Sequence, residues 1–450
     1  MLKKIRREVA KVNQDKHLKE LLKGSSNALF AKLLGMVFGY VSVLFISNIY
    51  GSTVLGMFSI CLTILSIATL IPKFGFDTAL IRILNEVKEK GNRKDFFSIL
   101  KKTSLTILFL SIVFSTVLFY ISDFLALKVF DNQELSTYIK SVSFAIIPTS
   151  LLVVSSSFFQ SIKKTLLHIL FQTALINIVF VSLLVINHFL FFDQHKIALL
   201  YAIAIYVSLV LSLILLFRFL AKISFKSDCH FEIDLKKILG ISYPMLLSNS
   251  FALFLGWINI LLLGYFISES GVGIYDSTEK LAGLTSVFLI AINTIAAPKF
   301  AEAFARRDSL ALKEVAQKSA KLTFYTSAPI LFIIVIFGNF FLGLFGDEFV
   351  KGYWVLFFLC LAKFTSAICG SVGYLLQMTG YQLIFQRVIF LAVLLNFSAS
   401  FFLIPSYGFV GAAISKCLSV VFWNVVLVII IKKKFGFWTI YIPFYSKKGF

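Results

Sequence analysis

Lysines that interrupt long apolar stretches are the residues of this sequence best suited to bind an anion. Five lie in such positions: Lys32, Lys73, Lys140, Lys363 and Lys416. An ammonium at the centre of a membrane-spanning helix costs about 2.5–3.5 kcal/mol on insertion scales, so a lysine kept there is a candidate functional residue. We predict that Lys32, Lys363 and Lys416 bind an anionic ligand. Lys363 lies deepest, roughly 16 Å into its stretch at about 1.5 Å per residue. Lys73 and Lys140 lie near the ends of their stretches, from which a lysine can reach the interface.

Two further cations lie close to the ends of apolar stretches. Arg82 could bind a phosphate group bidentately, as guanidinium groups do, or could simply anchor its helix at the inner surface. Lys280, next to Glu279 at the expected outer start of a helix, could form an exit-side gate or an exposed pair of little energetic consequence. Asp77 is expected to be the only acidic residue near the inner part of a helix, and Lys73, four residues earlier, is its predicted partner.

Uncharged polar residues within the apolar stretches complete the candidate binding set: Asn48, Asn249, Asn259 and Gln377. They could contact a hydroxyl-rich ligand, or could form hydrogen bonds between helices. Patterns for other chemistry are absent. The five cysteines form no C-x-x-C pair, the five histidines form no H-x-x-x-H pair, and there is no phosphate-binding G-x-x-x-x-G-K-S/T loop. The sequence therefore predicts neither an enzyme nor a metal or cofactor site.

The elements that carry these residues must lie in lipid. The chain is 59% hydrophobic and 14% charged, whereas soluble proteins are typically about 45–50% apolar and 25% charged. Stretches of about 20 apolar residues, the length that spans a bilayer, occur twelve times. The sequence thus predicts an all-α polytopic membrane protein with 12 transmembrane helices. The stretches lie near 26–49, 54–76, 103–122, 138–160, 166–188, 197–220, 241–267, 274–298, 323–345, 352–377, 383–404 and 408–431.

Basic residues orient these helices. With a cytoplasmic amino terminus, the outside turns contain only Lys128, Lys196, Lys280 and Lys351, and the other basic residues outside the helices fall on the inner side. The positive-inside rule therefore predicts that both termini are cytoplasmic. The net charge of +21 is then a marker of topology, and no nucleic-acid partner is expected.

The helices divide into two related halves. The cytoplasmic linker 221–237 separates six helices from six. Gly56 and Gly273 each lie in the first outer turn of their half, and each is followed two residues later by an aromatic residue. We therefore predict two six-helix bundles, 26–220 and 238–432, of the kind that internal repeats form in transporters.

Two segments flank the predicted bundles. Residues 1–25 are basic, with apolar residues at helical spacing, which is typical of an interfacial helix on an anionic membrane surface or of a solvated basic tail. Residues 433–450 are aromatic and basic but too short to span. They are expected to form a cytoplasmic interfacial anchor or a docking site for a partner protein.

Four stretches of the sequence are similar to those of a known family. They are NIYGSTVLGMFSI (48–60), FGFDTALIRIL (74–84), the segment from ISYPMLLSNS to GVGIYDSTEKLAGL (241–284), and INTIAAPKFAEAF (292–304). In these the chain resembles the Wzx-like oligosaccharide flippases of the multidrug/oligosaccharidyl-lipid/polysaccharide exporter superfamily.

The resemblance implies a V-shaped pair of bundles around a central cavity. It also implies alternating access that moves an undecaprenyl-pyrophosphate-linked oligosaccharide, the repeat unit of an O-antigen, capsule or exopolysaccharide, from the inner to the outer leaflet of the bacterial cytoplasmic membrane. In such a protein the pyrophosphate needs cations, the saccharide needs polar side chains, and the lipid tail can stay among membrane lipids. Na⁺, H⁺ or the membrane potential could drive the cycle.

Two alternatives remain open at this stage. A multidrug exporter of the same superfamily, driven by Na⁺ or H⁺, would need buried carboxylates to bind the coupling cation. A membrane scaffold for envelope enzymes would not need lysines that face a cavity. The orientation of Lys363 and Lys416 therefore distinguishes a flippase from a scaffold.

Overall fold

The computed structural model describes residues 16–90, 92–190, 193–221 and 235–441, and these are almost entirely helical, with no strand among them. Most of the predicted segment 1–25 and of the linker 221–237 lies outside these ranges. The helices are α1 (Lys16–Ala68), α2 (Leu70–Lys73), α3 (Phe76–Lys90), α4 (Arg93–Phe124), α5 (Gln133–Ser143), α6 (Ile146–Ser161), α7 (Thr165–Ile169), α8 (Leu175–Leu190), α9 (Ile197–Leu220), α10 (Leu235–Phe266), α11 (Glu269–Gly283), α12 (Ser286–Ala305), α13 (Ser309–Ile336), α14 (Gly338–Gly343), α15 (Tyr353–Cys369), α16 (Val372–Met378) and α17 (Gln382–Phe435).

The two longest helices each contain two of the predicted spans. Helix α1 breaks at Gly51 (φ 83°) and α17 breaks at Gly408 (φ 58°), backbone conformations that glycine adopts without the steric penalty of a Cβ. Among the described residues, 9 helical segments are long and apolar enough to cross a membrane, and α10 adds the shorter apolar stretch Leu253–Phe266. Because the two broken helices count twice, the total fits the predicted twelve. The all-α polytopic fold is confirmed.

The eighth predicted span, 274–298, consists of two helices. Helix α11 begins at Glu269 because the Ser268 side chain accepts a hydrogen bond from the Gly271 N–H and so caps its first turn. It ends at Gly283, and α12 continues from Ser286. Because α11 begins at Glu269, residues 276–280 lie in its second half and not at the start of a helix.

By their contacts the residues form two compact units. The first comprises Met1–Ser42, Ile64–Ala126 and Gln133–Leu247, and the second comprises Val43–Thr63, Leu127–Asn132 and Ser248–Phe450. The contacts thus group the part of α1 around its break at Gly51 with the carboxyl-terminal helices. The bundle boundaries predicted from the sequence, 26–220 and 238–432, follow helix order instead and stay a prediction.

Helices α1 and α11 cross in close backbone contact at two glycines, Gly56 and Gly273, which explains why Val43–Thr63 belongs to the second unit. A Cβ at Gly56 would lie 1.7 Å from the Glu269 carbonyl oxygen, and a Cβ at Gly273 would lie 2.1 Å from the Ser52 carbonyl oxygen. The shift along the chain that relates Gly56 to Gly273 also relates Ser52 to Glu269. Equivalent residues of the two halves therefore meet symmetrically, which supports the predicted relationship between the halves.

Residues 436–441, here called the C-terminal strap, fold back onto helices of the second unit. The Tyr441 N–H donates to the Ile368 carbonyl oxygen at 3.1 Å, and the Gln317 amide donates to the Trp438 carbonyl oxygen at 3.2 Å. Phe437 is 4% exposed and belongs to a hydrophobic core formed by α12, α13, α15, α16 and α17. The described part of the predicted interfacial anchor thus packs against protein, because its aromatic side chains fill a groove between helices.

Candidate functional site

Two of the predicted anion-binding lysines line one cavity inside the second unit. Lys363 on α15 and Lys416 on α17 border a space of about 200 Å³, and Glu279 on α11 borders it as well. Much of the remaining wall is apolar: Ala282, Leu289, Leu359, Ala362, Val420 and Trp423. Charges within apolar walls interact more strongly than charges in water, so the pairing of the charged side chains decides what the cavity can bind.

Lys416 has a carboxylate partner from another helix. Its ammonium forms an ion pair with Glu279 Oε1, and the two side chains are 12% and 26% exposed. The buried Tyr275 lies one turn before Glu279 on α11 and is an electrostatic neighbour of its carboxylate. The direct partner of Glu279 is therefore the cation on α17.

Lys280 has a different partner on the same helix. Its ammonium lies 2.6 Å from Asp276 Oδ2, one turn earlier, and the same oxygen accepts a hydrogen bond of 2.6 Å from Ser59 Oγ. The side chain of Asp276 is only 11% exposed. We expected Glu279 and Lys280 together at the outer start of a helix, and this expectation was wrong. Because α11 begins at Glu269, capped by Ser268, both residues lie near its carboxyl-terminal end, Lys280 in the last turn.

Of the two lysines that border the cavity, Lys363 has no ion-pair partner among the described residues. Within the described ranges it forms no hydrogen bond or ion pair, and its electrostatic neighbours include the ammonium of Lys416 and the carboxylate of Glu279. Because Lys416 is paired with Glu279, Lys363 supplies the net positive charge of the residues that line the cavity. A cavity with one unpaired ammonium in a largely apolar wall can bind an anion.

Asp276 and Glu279 are two further acidic residues within a helix, α11. Asp77 itself lies in the first unit, where it interacts electrostatically with its predicted partner Lys73 and with His168.

Asn259 forms a hydrogen-bonded centre between helices. It is fully buried, and its amide donates to the Tyr275 hydroxyl at 2.8 Å and to the Ala412 carbonyl oxygen at 3.2 Å. Its side-chain oxygen accepts from Ser400 at 2.8 Å and from Asn396 at 3.2 Å. All its hydrogen-bonding groups are used within the protein. The same network holds Tyr275, which lies one turn before Glu279 on α11.

The remaining predicted site residues lie elsewhere. Asn48 is exposed and donates to two backbone carbonyl oxygens of the second unit. Gln377 is half-buried on α16, and the side chain of Asn249 lies outside the described part of the structure. Lys32, half-buried on α1, and Arg82, exposed on α3, belong to the first unit. The structure thus brings together only Lys280, Lys363 and Lys416 from the predicted set.

The sequence did not predict either ion pair: it indicated Glu279 as the neighbour of Lys280, whereas Glu279 pairs with Lys416 and Lys280 pairs with Asp276. Asp276 and Lys280 are four residues apart, a spacing that indicates an ion pair once the helix is known to begin at Glu269. Ser268, a preferred capping residue, was the signal for that start. Glu279 and Lys416 are 137 residues apart, and no local pattern joins them.

Comparisons with known proteins agree with this architecture. The family profile described as polysaccharide biosynthesis protein matches residues 21–304. The chain is 23% identical over 407 residues to a protein of Haloferax volcanii described as a probable low-salt glycan biosynthesis flippase, Agl15, and the match covers 89% of this chain and 81% of that protein.

Solved structures of transporters have the same fold. The lipid II flippase MurJ in an inward closed conformation superposes with a TM-score of 0.72 at 13% identity, covering 92% of this chain and 89% of that one. An inward-facing multidrug resistance MATE family transporter of the MOP superfamily superposes with a TM-score of 0.68 at 13% identity, covering 89% and 94%. The fold is therefore that of these transporters, and since the family profile spans more than half of the sequence, the chain belongs to the polysaccharide biosynthesis protein family.

Proposed function

We propose that the protein is a flippase for a lipid-linked glycan. Its substrate is an oligosaccharide joined to undecaprenyl pyrophosphate, moved by alternating access from the inner to the outer leaflet of the bacterial cytoplasmic membrane. Both termini then lie in the cytoplasm, and the protein is a transporter and not an enzyme. The observation that carries the proposal is the unpaired ammonium of Lys363 in an apolar cavity. The Haloferax volcanii relative is described as a glycan biosynthesis flippase and is archaeal, so the bacterial membrane and the undecaprenyl lipid are the finer part of the proposal.

The size of the cavity indicates which part of the substrate it would take. Pockets that enclose a drug-sized ligand measure about 300–1,000 Å³, and this cavity measures about 200 Å³. It is too small for an oligosaccharide but suits one or two phosphate groups. In the proposed mechanism the pyrophosphate therefore enters between Lys363 and Lys416, while the saccharide and the lipid tail stay outside this cavity.

The pairing of the acids argues against a cation exporter. A coupling cation needs a carboxylate that can accept it. Asp276 already has the Lys280 ammonium at 2.6 Å, and Glu279 has Lys416. A cation entering the cavity would meet one carboxylate, Glu279, already neutralised by Lys416, and the repulsion of Lys363.

The cavity itself argues against a scaffold without transport activity. A scaffold gains nothing from an unpaired ammonium in an apolar wall, because the burial of an unpaired charge is costly. Lys363 and Lys416 border a cavity, which is the orientation expected of a flippase. The proposed function needs no cofactor; Na⁺, H⁺ or the membrane potential would supply the energy, and a polysaccharide polymerase or glycosyltransferase is a proposed partner.

Proteoliposomes that contain a fluorescent undecaprenyl-pyrophosphate oligosaccharide test this function. We expect Lys363→Ala to lower translocation at least tenfold at equal protein level, because the pyrophosphate loses its unpaired cation. Lys363→Arg, which keeps the charge, should retain part of the activity. Lys318→Ala is the matched control, because Lys318 is 70% exposed and pairs with Glu314 on the surface of α13. Translocation by Lys363→Ala at the rate of this control would contradict the proposal.

A further inference from the structure

An anionic ligand of Lys416 has to compete with the carboxylate of Glu279, which already neutralises this ammonium at the wall of the cavity. A carboxylate oxygen and a phosphate oxygen are both anionic acceptors for an ammonium. The protein thus carries, on α11, a competitor for its own cation.

We propose that Glu279 is an internal counter-ion that a diphosphate group displaces from Lys416, and that it makes the site selective for anions of high charge. The inference rests on the proposed function, since it assigns a role to Glu279 in binding the pyrophosphate of that substrate. A weakly charged anion meets one available ammonium, Lys363, beside the negative charge of Glu279. A diphosphate carries enough charge to bind Lys363 and also to replace Glu279 on Lys416.

The surroundings of Glu279 permit such a displacement. Its side chain is 26% exposed, more than the 12% of Lys416, so the carboxylate is the partner better able to turn away. A carboxylate that turns toward this exposed side can be hydrated after Lys416 is released.

The second acid of α11 remains in place during this exchange. Asp276 is paired with Lys280 and bonded to Ser59, and it does not line the cavity described above. Only one of the two ion pairs of α11 therefore competes with the ligand. This difference makes Glu279 a specificity residue and gives Asp276 a structural role at the crossing of α11 with the first long helix.

Binding of inorganic pyrophosphate to the purified full-length protein, measured by calorimetry, tests the inference. We expect Glu279→Gln to bind pyrophosphate about tenfold more tightly than the unmodified protein, equivalent to about 1.4 kcal/mol at 25 °C. The same variant should gain affinity for monovalent acetate, so that selectivity falls. Lys363→Gln and Lys416→Gln should each bind pyrophosphate at least tenfold more weakly. Glu302→Gln, which removes a 58% exposed carboxylate paired with Arg306 on α12, should leave the affinity unchanged.

Glu279→Asp separates displacement from simple repulsion of the ligand. It keeps the negative charge near the cavity but withdraws the carboxylate from Lys416 by one methylene group. If Glu279 competes for Lys416, this variant binds pyrophosphate more tightly than the unmodified protein. If Glu279 acts only through its negative field, the affinity does not rise, and the inference is overturned.

Two further outcomes would overturn the inference, and they differ from failure of the proposed function. Unchanged or weaker binding of pyrophosphate by Glu279→Gln, with weaker binding by Lys363→Gln, would leave the anion site intact and remove the role of Glu279. Absence of pyrophosphate binding by every variant would remove both ammonium sites from ligand binding. The proposed function is measured independently, by translocation in proteoliposomes. Thermal unfolding of each variant confirms that it is folded.

Discussion

The crossing of Gly56 and Gly273 gives a prediction whose size can be worked out from the structure. A Cβ at Gly273 would lie 2.1 Å from the Ser52 carbonyl oxygen, and a Cβ at Gly56 would lie 1.7 Å from that of Glu269. Both obstacles are backbone atoms, so no side chain can turn aside. Because ordinary non-bonded contacts lie at about 3.5 Å, an added methyl group must separate the two helices by roughly 1.5 Å.

The separation carries two costs. Overpacking of a well-packed contact destabilises a protein by about 1–3 kcal/mol. The Ser59–Asp276 hydrogen bond, 2.6 Å long and one turn from the glycines, would be stretched beyond bonding distance, and a hydrogen bond to a charged group contributes about 1.5–3 kcal/mol. We therefore expect Gly56→Ala and Gly273→Ala each to lower the free energy of unfolding by roughly 3–5 kcal/mol.

The assay is thermal unfolding of the purified full-length protein in detergent. Gly283→Ala is the matched control, because Gly283 ends α11 and a Cβ there meets no atom within 4 Å; alanine favours a helix by about 1 kcal/mol over glycine, so this variant should be unchanged or more stable. The double variant Gly56→Ala/Gly273→Ala should lose less than the summed losses, since one separation relieves both clashes. If Gly56→Ala or Gly273→Ala were as stable as Gly283→Ala, the close backbone contact at these two glycines would be refuted.

Two other predictions concern stability. Asn259→Ala leaves the buried groups of Tyr275, Asn396 and Ser400 without a partner, at about 1–3 kcal/mol for each unsatisfied group, so its melting temperature should fall well below that of Asn48→Ala, which alters an exposed side chain. Equal melting temperatures would mean that Asn259 is not the centre of the network. Ending the chain after Gly436 removes Phe437 and the rest of the C-terminal strap from the core and should lower the melting temperature, whereas ending it after Tyr441 keeps every described strap contact. A truncation after Gly436 that unfolds like the longer one would show that the strap does not stabilise the helices.

The helices and their order could be predicted because lipid imposes length and apolarity on every span. The predicted turns near Gly51 and Tyr407 coincide with the breaks in α1 and α17. The repeat around Gly56 and Gly273 was detectable because a close helix crossing tolerates only glycine at the point of contact. Each of these features depends on residues near one another in the sequence.

The start of α11 and the ion pairs could not be predicted in the same way. The polar, glycine-containing sequence from Ser268 to Gly273 has the composition of a turn, and the capping bond of Ser268 makes it the first turn of a helix. The pair of Glu279 with Lys416 depends on the packing of α11 against α17, which no spacing encodes. Because the start of α11 was misplaced, neither the pair of Asp276 with Lys280 nor that of Glu279 with Lys416 was predicted.

Asp276 and Glu279 change the reason for expecting an anionic substrate. From the sequence we expected the lysines within the helices to have almost no acidic partners, but Lys280 and Lys416 each pair with a carboxylate. A single lysine, Lys363, remains unpaired among the charged residues of the cavity. Insertion of several free ammonium groups would be costly, and pairing reduces that cost while one group stays available to the ligand. The expected negative charge of the substrate therefore follows from which lysines are paired with carboxylates. The number of lysines alone could not establish it.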